Sequence, residues 1–366
     1  MYNLAQGEYT HEQVKRMLTE HRKIAFDFAL MNSADKFIKN LQSASGRISF
    51  NSSAEIMGTA SFSISEKEVS GLDLVDYRIS PCFKIESPTG WLSYQLGIYI
   101  MSSPRRIDDS FIQLDIDCYD KSIILKEDKL ADRLYIPSGS NYVREVQKVI
   151  ASAGIKKVSI EGSSLPLKND LEFEIGTDKL SVVNDLLYAI NYNPIHFDRN
   201  GTAVSERYIE PSVRKAEEEY LTDRYSIIKS GAQQTRDLYN IPNVIIRYTN
   251  TPDADDLRSE YINDSADSIL STVRRGRRVV DIESVDDIAD QDTLDAYTKR
   301  VAIEKSQIND TVTLPTALMP HHSYKDCLFV RHDNLGIGAK FIENSWSMDL
   351  EVGGTMQHQI KRVTLI

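Results

Sequence analysis

Along most of this 366-residue chain, apolar and polar positions alternate with a period of two, the signature of half-buried strands. Ala60, Phe62 and Ile64 alternate with Ser61, Ser63 and Ser65; Tyr94, Leu96, Ile98 and Ile100 form a second run, and Ile112, Leu114, Ile116 and Cys118 a third. Turn residues Pro88, Thr89, Gly90 and Pro104 fall between the runs. Short alternating strands separated by turn signals predict an antiparallel barrel or sandwich over residues 40–125. The period of two returns at 243–248, 311–314, 327–331, 340–352 and 355–363, with Gly353-Gly354 as the turn of a last hairpin. Residues 206–366 are therefore expected to form a second β-barrel domain, interrupted by a helix over about 292–305 that turns Leu294, Tyr297 and Val301 inward.

Helical spacing predicts three further elements. A helix over 10–31 opens with a Thr10/Gln13 capping box and presents Val14, Met17, Leu18, Ile24, Ala25 and Phe28 on one side. Its polar side mixes charges, so docking on its own protein or on a neighbouring subunit fits better than lying on a membrane. This N-terminal amphipathic helix accounts for residues 1–39. Between the β regions, residues 126–205 are expected to form a small α/β domain. Residues 138–141 cap a helix carrying Val143, Val146 and Ile150, and Gly154 ends it. A second helix, capped by Thr177 or Asp178, carries Leu180, Val183, Leu187 and Ile190, with Pro194 as its stop. Asn200-Gly201 marks a tight hairpin directly after it.

Composition narrows the classes. The net charge of −11 argues against broad, non-specific nucleic-acid binding, which needs a cationic surface. Three distant cysteines, Cys82, Cys118 and Cys327, suit free thiols better than a disulfide framework. The chain has no run of 18 apolar residues and its first residues do not read as a signal peptide, so no membrane insertion is expected.

Candidate chemistry is sparse. Asp115 and Asp117 share one strand face with Asp120 just beyond, but the apolar residues opposite them explain a solvated face without catalysis. Asp198–Gly201 lacks the closing Glu of a calcium loop, since Arg207 stands at that position. His321, His322, Cys327 and His332 lack zinc-ligand spacing. Neither a nucleophile elbow, a P-loop nor a dinucleotide fingerprint occurs. No catalytic, cofactor-binding or metal residue is assigned. One local feature stands out from the acidic background: Arg274, Arg275, Arg277 and Arg278, which are balanced by Asp281, Glu283, Asp286 and Asp287 downstream, form half of a subunit interface, or bind nucleic-acid phosphates.

Seven segments, in this order and spacing, resemble the tail-hub (baseplate-hub or tail-tip) proteins of long-tailed bacteriophages: LGIYIMSSPRR (96–106), CYDKSIIL (118–125), SGSNYVREVQKVIASAGI (138–155), LLYAINYNPIHFDRNG (186–201), PNVIIRYTN (242–250), VRRGRRVV (273–280) and GGTMQHQIKRV (353–363). The resemblance implies a mainly β fold of two tail-tube-like β-barrel domains decorated by α/β pieces. It also implies a homotrimeric, pseudo-sixfold ring in the virion tail tip, made in the host cytoplasm, that surrounds the channel through which DNA passes in transit. The implied partners are the tail-tube, distal tail and tape-measure proteins. Many relatives carry a C-terminal host-binding or wall-degrading extension; this chain ends at Ile366, so such an activity is expected on another protein. The competing classes are a cell-wall-degrading glycoside hydrolase or peptidase, and a carbohydrate-binding tip module using Trp91, Trp346 and some of the 18 tyrosines.

Overall fold

The computed structural model describes residues 1–20, 22–42, 44–108, 112–237, 239, 241–249, 257–285, 287–307 and 310–363. Most strands join one 14-stranded sheet. Its first half runs, neighbour to neighbour, through Ser45–Asn51, Gly58–Ser65, Ile112–Tyr119, Tyr99–Asp108, Tyr77–Ser87, Ile24–Asn32 and Phe37–Leu41. The second half contains Gln233–Arg236, Asp310–Thr316, Met356–Arg362 and Ile337–Asp349, with Cys327–His332 and Glu218–Leu221 branching from the last. The halves meet where Ile337–Asp349 pairs antiparallel with Ser45–Asn51, setting Trp346 opposite Phe50 and Met348 opposite Ile48. The chain is thus mainly β with an α/β insertion, as the alternation predicts. The two halves stand where two barrels are expected; among the described residues the ladder runs continuously from one half into the other, and no ladder closes either half.

Burial explains the pattern. In Ile112–Tyr119 the side chains of Leu114, Ile116 and Cys118 are buried while Asp117 is exposed, so the strand's period of two is the period of its two faces. Phe28, Phe62 and Phe83 lie in the core of the first half, where Phe28 and Phe62 meet edge to face at 6.0 Å. A separate core holds the α/β unit, in which the helices Tyr142–Ser152 and Lys179–Tyr188 pack Val146, Ile150, Val183 and Leu187 against Phe197 and Ala203. Near the chain's C-terminal third, a three-stranded sheet of Arg258–Ile262, Val244–Tyr248 and Val280–Ser284 is covered on one face by the helix Gln291–Gln307.

Three sequence expectations need correction. The helix expected over 10–31 spans only His11–Thr19; its capping box is present, but Ile24–Asn32 is a strand paired along its whole length with Tyr77–Ser87. Ile24, Phe28 and Leu30 fit an apolar side at either period, and nine residue pairs with a neighbouring strand decide for β. The run from Tyr94 to Ile100 is not one strand. It breaks between Gly90–Gln95 and Tyr99–Asp108 at Gly97, whose φ of +146° and tight contact with the Tyr99 ring leave no room for a side chain. The helix Lys179–Tyr188 also stops before Pro194 acts. Asn191 takes a left-handed φ of 54°, Asn191 N–H donates to Tyr188 O and Tyr192 N–H to Leu187 O at 2.9 Å each, closing the helix by a Schellman motif.

Leu187 is completely buried in the α/β core. Leu187→Asp is expected to destabilise the protein by more than about 4 kcal/mol, because the carboxylate has no partner there. A urea melt with a midpoint close to wild type would contradict this packing.

Candidate interface loop and the buried histidine network

The arginine loop begins as one short helical turn, Thr272–Arg275, capped by Ser271 and ended by Gly276 at φ +60°. This turn separates the four guanidinium groups. Arg275 folds back, donating to the carbonyls of Ile241 at 2.6 Å and Tyr239 at 2.7 Å. Arg278 pairs with Glu260 at 3.0 Å. Arg274 and Arg277 are exposed and make no ion pair with the described residues. The acids expected to balance the loop are used elsewhere: Asp281 and Glu283 pair with Arg247 at 2.7 and 2.9 Å, and Asp287 accepts from the Tyr142 hydroxyl. Asp286 lies outside the described residues. Beside the loop, Val273, Val280, Ile282 and Ile262 are exposed. Strand register places Val280 and Ile262 on one face, away from the docked helix, with the pair flanking Val244.

The candidate carboxylates do not converge. Asp115 accepts from Ser63 Oγ at 2.6 Å and from Arg105 at 3.0 Å, and these two donors hold its pKa below the usual range. Asp117 points to solvent. Asp120 is buried and structural, accepting from the backbone N–H groups of Gly58 and Ser122 at 2.8 and 2.9 Å. Gly58 is needed for that approach, because a Cβ there would sit 2.6 Å from Asp120 Oδ2.

The histidines form a constellation that spacing alone hides. His321 and His322 are both buried but serve different partners. His321 Nε2 meets Glu218 at 2.9 Å, and Glu218 also takes Lys15 from the N-terminal helix at 2.6 Å. His322 Nδ1 meets Glu343 Oε2 at 2.6 Å, and His358 Nδ1 meets Glu343 Oε1 at 2.5 Å. The far nitrogens are engaged as well, His322 with the Tyr220 hydroxyl at 2.6 Å and His358 with Thr316 Oγ at 2.8 Å. His332 stands apart, capping a short turn through Leu335 N–H, and Cys327 is a buried free thiol.

His322, Glu343 and His358 place three potential metal donors within 4.8 Å of one another. Ligand atoms around a tetrahedral zinc with bonds near 2.0 Å stand about 3.3 Å apart. The contacts of 2.5 and 2.6 Å are instead hydrogen-bond distances, so the arrangement is a relay with the carboxylate as acceptor from both rings. Burial opposes charge on Glu343, yet the two imidazoles outweigh it and bring its pKa down to about 2. His322 is likewise opposed by burial, but Glu343 holds its pKa above the ordinary value. Burial dominates at His321, pulling it down to about 4, and lowers His358 too.

These shifts give a pH dependence. An unfolded imidazole takes its proton near pH 6.5, whereas His321 declines it until about pH 4. Between those values the unfolded chain binds more protons, so stability falls as pH drops, by about 1 kcal/mol per pH unit for each such group. His322, with its raised pKa, keeps its full contribution below pH 6.5 and loses it as pH rises through its folded value. Denaturant midpoints are therefore expected to peak near neutrality and decline toward pH 4.5. His321→Gln should flatten the acid limb; a profile level from pH 6.5 to 4.5 in the wild type would refute the assignment.

No protein-family model matches the sequence, and no curated protein does. Solved structures do. The tail protein from Neisseria meningitidis MC58 aligns over 92% of this chain and 97% of its own at a TM-score of 0.66 and 15% identity. The 43 kDa tail protein of prophage MuSo2 from Shewanella oneidensis aligns over 92% and 98% at 0.65 and 11% identity. Prophage tail protein gp18 from Listeria monocytogenes aligns over 92% and 94% at 0.58 and 13% identity. The chain has the fold of phage tail proteins over nearly its whole length, in agreement with the resemblance carried by its sequence segments.

Proposed function

We propose that this protein is a structural subunit of a phage-type tail: a hub at the tail tip or baseplate, three copies of which form a ring that joins the tube to the tip around the DNA channel. The observation that supports it most is the alignment with tail proteins across more than nine-tenths of both chains. In this reading the chain divides as its sequence does, into an N-terminal segment (1–39), two β regions (40–125 and 206–366) and an α/β unit (126–205). The net charge of −11 suits a channel that repels phosphates and so does not retain DNA. Tube, distal tail and tape-measure proteins are the proposed neighbours, in the virion.

The arginine loop is the proposed subunit contact. Two free guanidinium groups beside exposed Val273, Val280 and Ile282 give the mixture of apolar surface and arginine found at protein interfaces. A closed ring of three requires one surface to meet a different surface of the next copy, and an acidic chain offers carboxylates widely. A wall-degrading enzyme is the weaker reading. The carboxylates its sequence offers for that role do not converge: Asp115 is bound to Arg105, Asp117 is exposed and Asp120 is sealed around Gly58.

The mass of the purified protein in solution, alone and mixed with tube and distal tail proteins, tests the hub. A monomer that joins neither partner would reject it, as would clear peptidoglycan hydrolysis by the purified chain. Arg274→Ser with Arg277→Ser is expected to weaken trimer or tip assembly while thermal stability stays within about 0.5 kcal/mol of wild type. Arg275→Ser, in contrast, should cost roughly 1–3 kcal/mol of folding stability by freeing two carbonyls. Unchanged assembly of the double variant across a salt series would remove the loop from the interface.

A further inference from the structure

A cleft of about 330 Å³ lies where the α/β unit, the second half of the large sheet and the helix Gln291–Gln307 meet. Five cations, Arg207, Arg214, Lys305, Lys325 and Lys361, line its wall against three carboxylates. The carboxylates are Glu206, Glu217 and Glu304, of which Glu304 is shared by Lys325 at 2.8 Å and Arg300 at 3.4 Å. Lys361, on the strand Met356–Arg362, lines the same wall beside Ile342 and has no ion pair or side-chain hydrogen bond with the described residues. Its ammonium is half-buried, its pKa is lowered first by burial and then by the charge of Lys325, and Glu304 offsets this only partly. The other cations of the cleft are already paired, Arg214 with Glu217 inside it, Arg207 with Glu161 and Lys305 with Asp281. Glu206, the remaining acid on the wall, is exposed.

The hydrogen-bond inventory points the same way. Tyr208 and Tyr324 line the cleft with their hydroxyl oxygens buried; that of Tyr208 has no partner among the described residues, and that of Tyr324 faces the Lys325 ammonium. Arg300 is fixed in place, stacked 4.5 Å over the Tyr208 ring and donating to Tyr192 O at 2.8 Å. The orphaned Tyr208 hydroxyl and an unpaired ammonium in a partly dry cleft each cost stability, and one acceptor group bearing negative charge would satisfy both.

We propose that this cleft is an oxyanion-binding site, in which a phosphate or carboxylate group sits between the ammonium groups of Lys325 and Lys361 and accepts a hydrogen bond from the hydroxyl of Tyr208. Arg300 and Glu304 act as positioning residues, holding Lys325 and the Tyr208 ring against the bound group. The site stands independently of the hub reading, since every residue in it belongs to one copy of the chain.

Thermal shift and isothermal titration on the full chain, at constant ionic strength with chloride as reference, test it with inorganic phosphate in one arm and succinate in the other. Phosphate or succinate is expected to raise the melting temperature above the chloride control, and the arm that responds names the anion. Lys361→Gln is expected to melt higher than wild type without anion, because it removes an unpaired charge, and to lose affinity by about tenfold or more. Tyr208→Phe keeps the packing and should weaken binding by a smaller factor while leaving the anion-free melting temperature unchanged or higher. No response to either anion beyond chloride would overturn the proposal. So would a Lys361→Gln protein, or if that fails to fold a Tyr208→Phe protein, that responds as the wild type does.

Discussion

The strand Ile337–Asp349 is the seam on which the molecule depends. Its earlier residues pair with Cys327–His332, its later ones with Ser45–Asn51, and Met356–Arg362 runs along its other edge from Phe341 to Met348. A strand that belongs to two halves must serve two cores with one alternation of side chains. The irregularity between Glu343 and Ser345 resolves this, since an extra residue shifts register and re-aims the side chains on either side of it. On one side Phe341 faces the smaller core, and on the other Trp346 stacks on Phe50 in the larger one. Glu343 sits at the shift itself and turns its carboxylate inward.

That inward carboxylate gathers what surrounds the seam. Through His322 it reaches the loop after Asp310–Thr316 and the Tyr220 strand, and through His358 it reaches Thr316. A neighbouring relay, Lys15 to Glu218 to His321, ties in the N-terminal helix. Apolar contacts alone would hold these elements together but would tolerate sliding of one strand past another by two residues. Directional bonds to one buried carboxylate do not, because a slip would leave a buried charge and several rings unpaired at a cost of several kcal/mol. The network therefore specifies register more than it adds net stability.

What the sequence made legible follows from locality. Alternation found most strands, capping residues found the helix starts, and Asn200-Gly201 found its hairpin, because each signal lies within a few neighbouring residues. Ile24–Asn32 was misread since its apolar positions satisfy both periods, and its strand partner lies about fifty residues away. The histidine network was invisible for a related reason. His322, Glu343 and His358 are spaced by 21 and 15 residues, with no motif to join them, and become neighbours only through the ladders around the seam. The rings of His321 and His322 stand 5.2 Å apart, and their buried partners Glu218 and Glu343 are far off in sequence. The arginine run was conspicuous, yet its composition could not reveal that one residue caps carbonyls, one pairs with Glu260 and two are left free.

Identities of 11 to 15% alongside near-complete alignment show how little of this fold depends on particular residues. Alternation, turn placement and a strand shared by two halves survive wide substitution because any apolar residue of suitable size fills a face. Charges behave differently. A buried carboxylate needs named donors at fixed distances, and an unpaired ammonium in a cleft is a standing cost that a neutral residue would relieve. Lys361 carries such a cost: among the described residues no carboxylate pairs with it, and Glu304, the acid that acts on it, is already shared. In a fold so permissive of substitution, a local cost of this kind is what the proposed anion would relieve on binding.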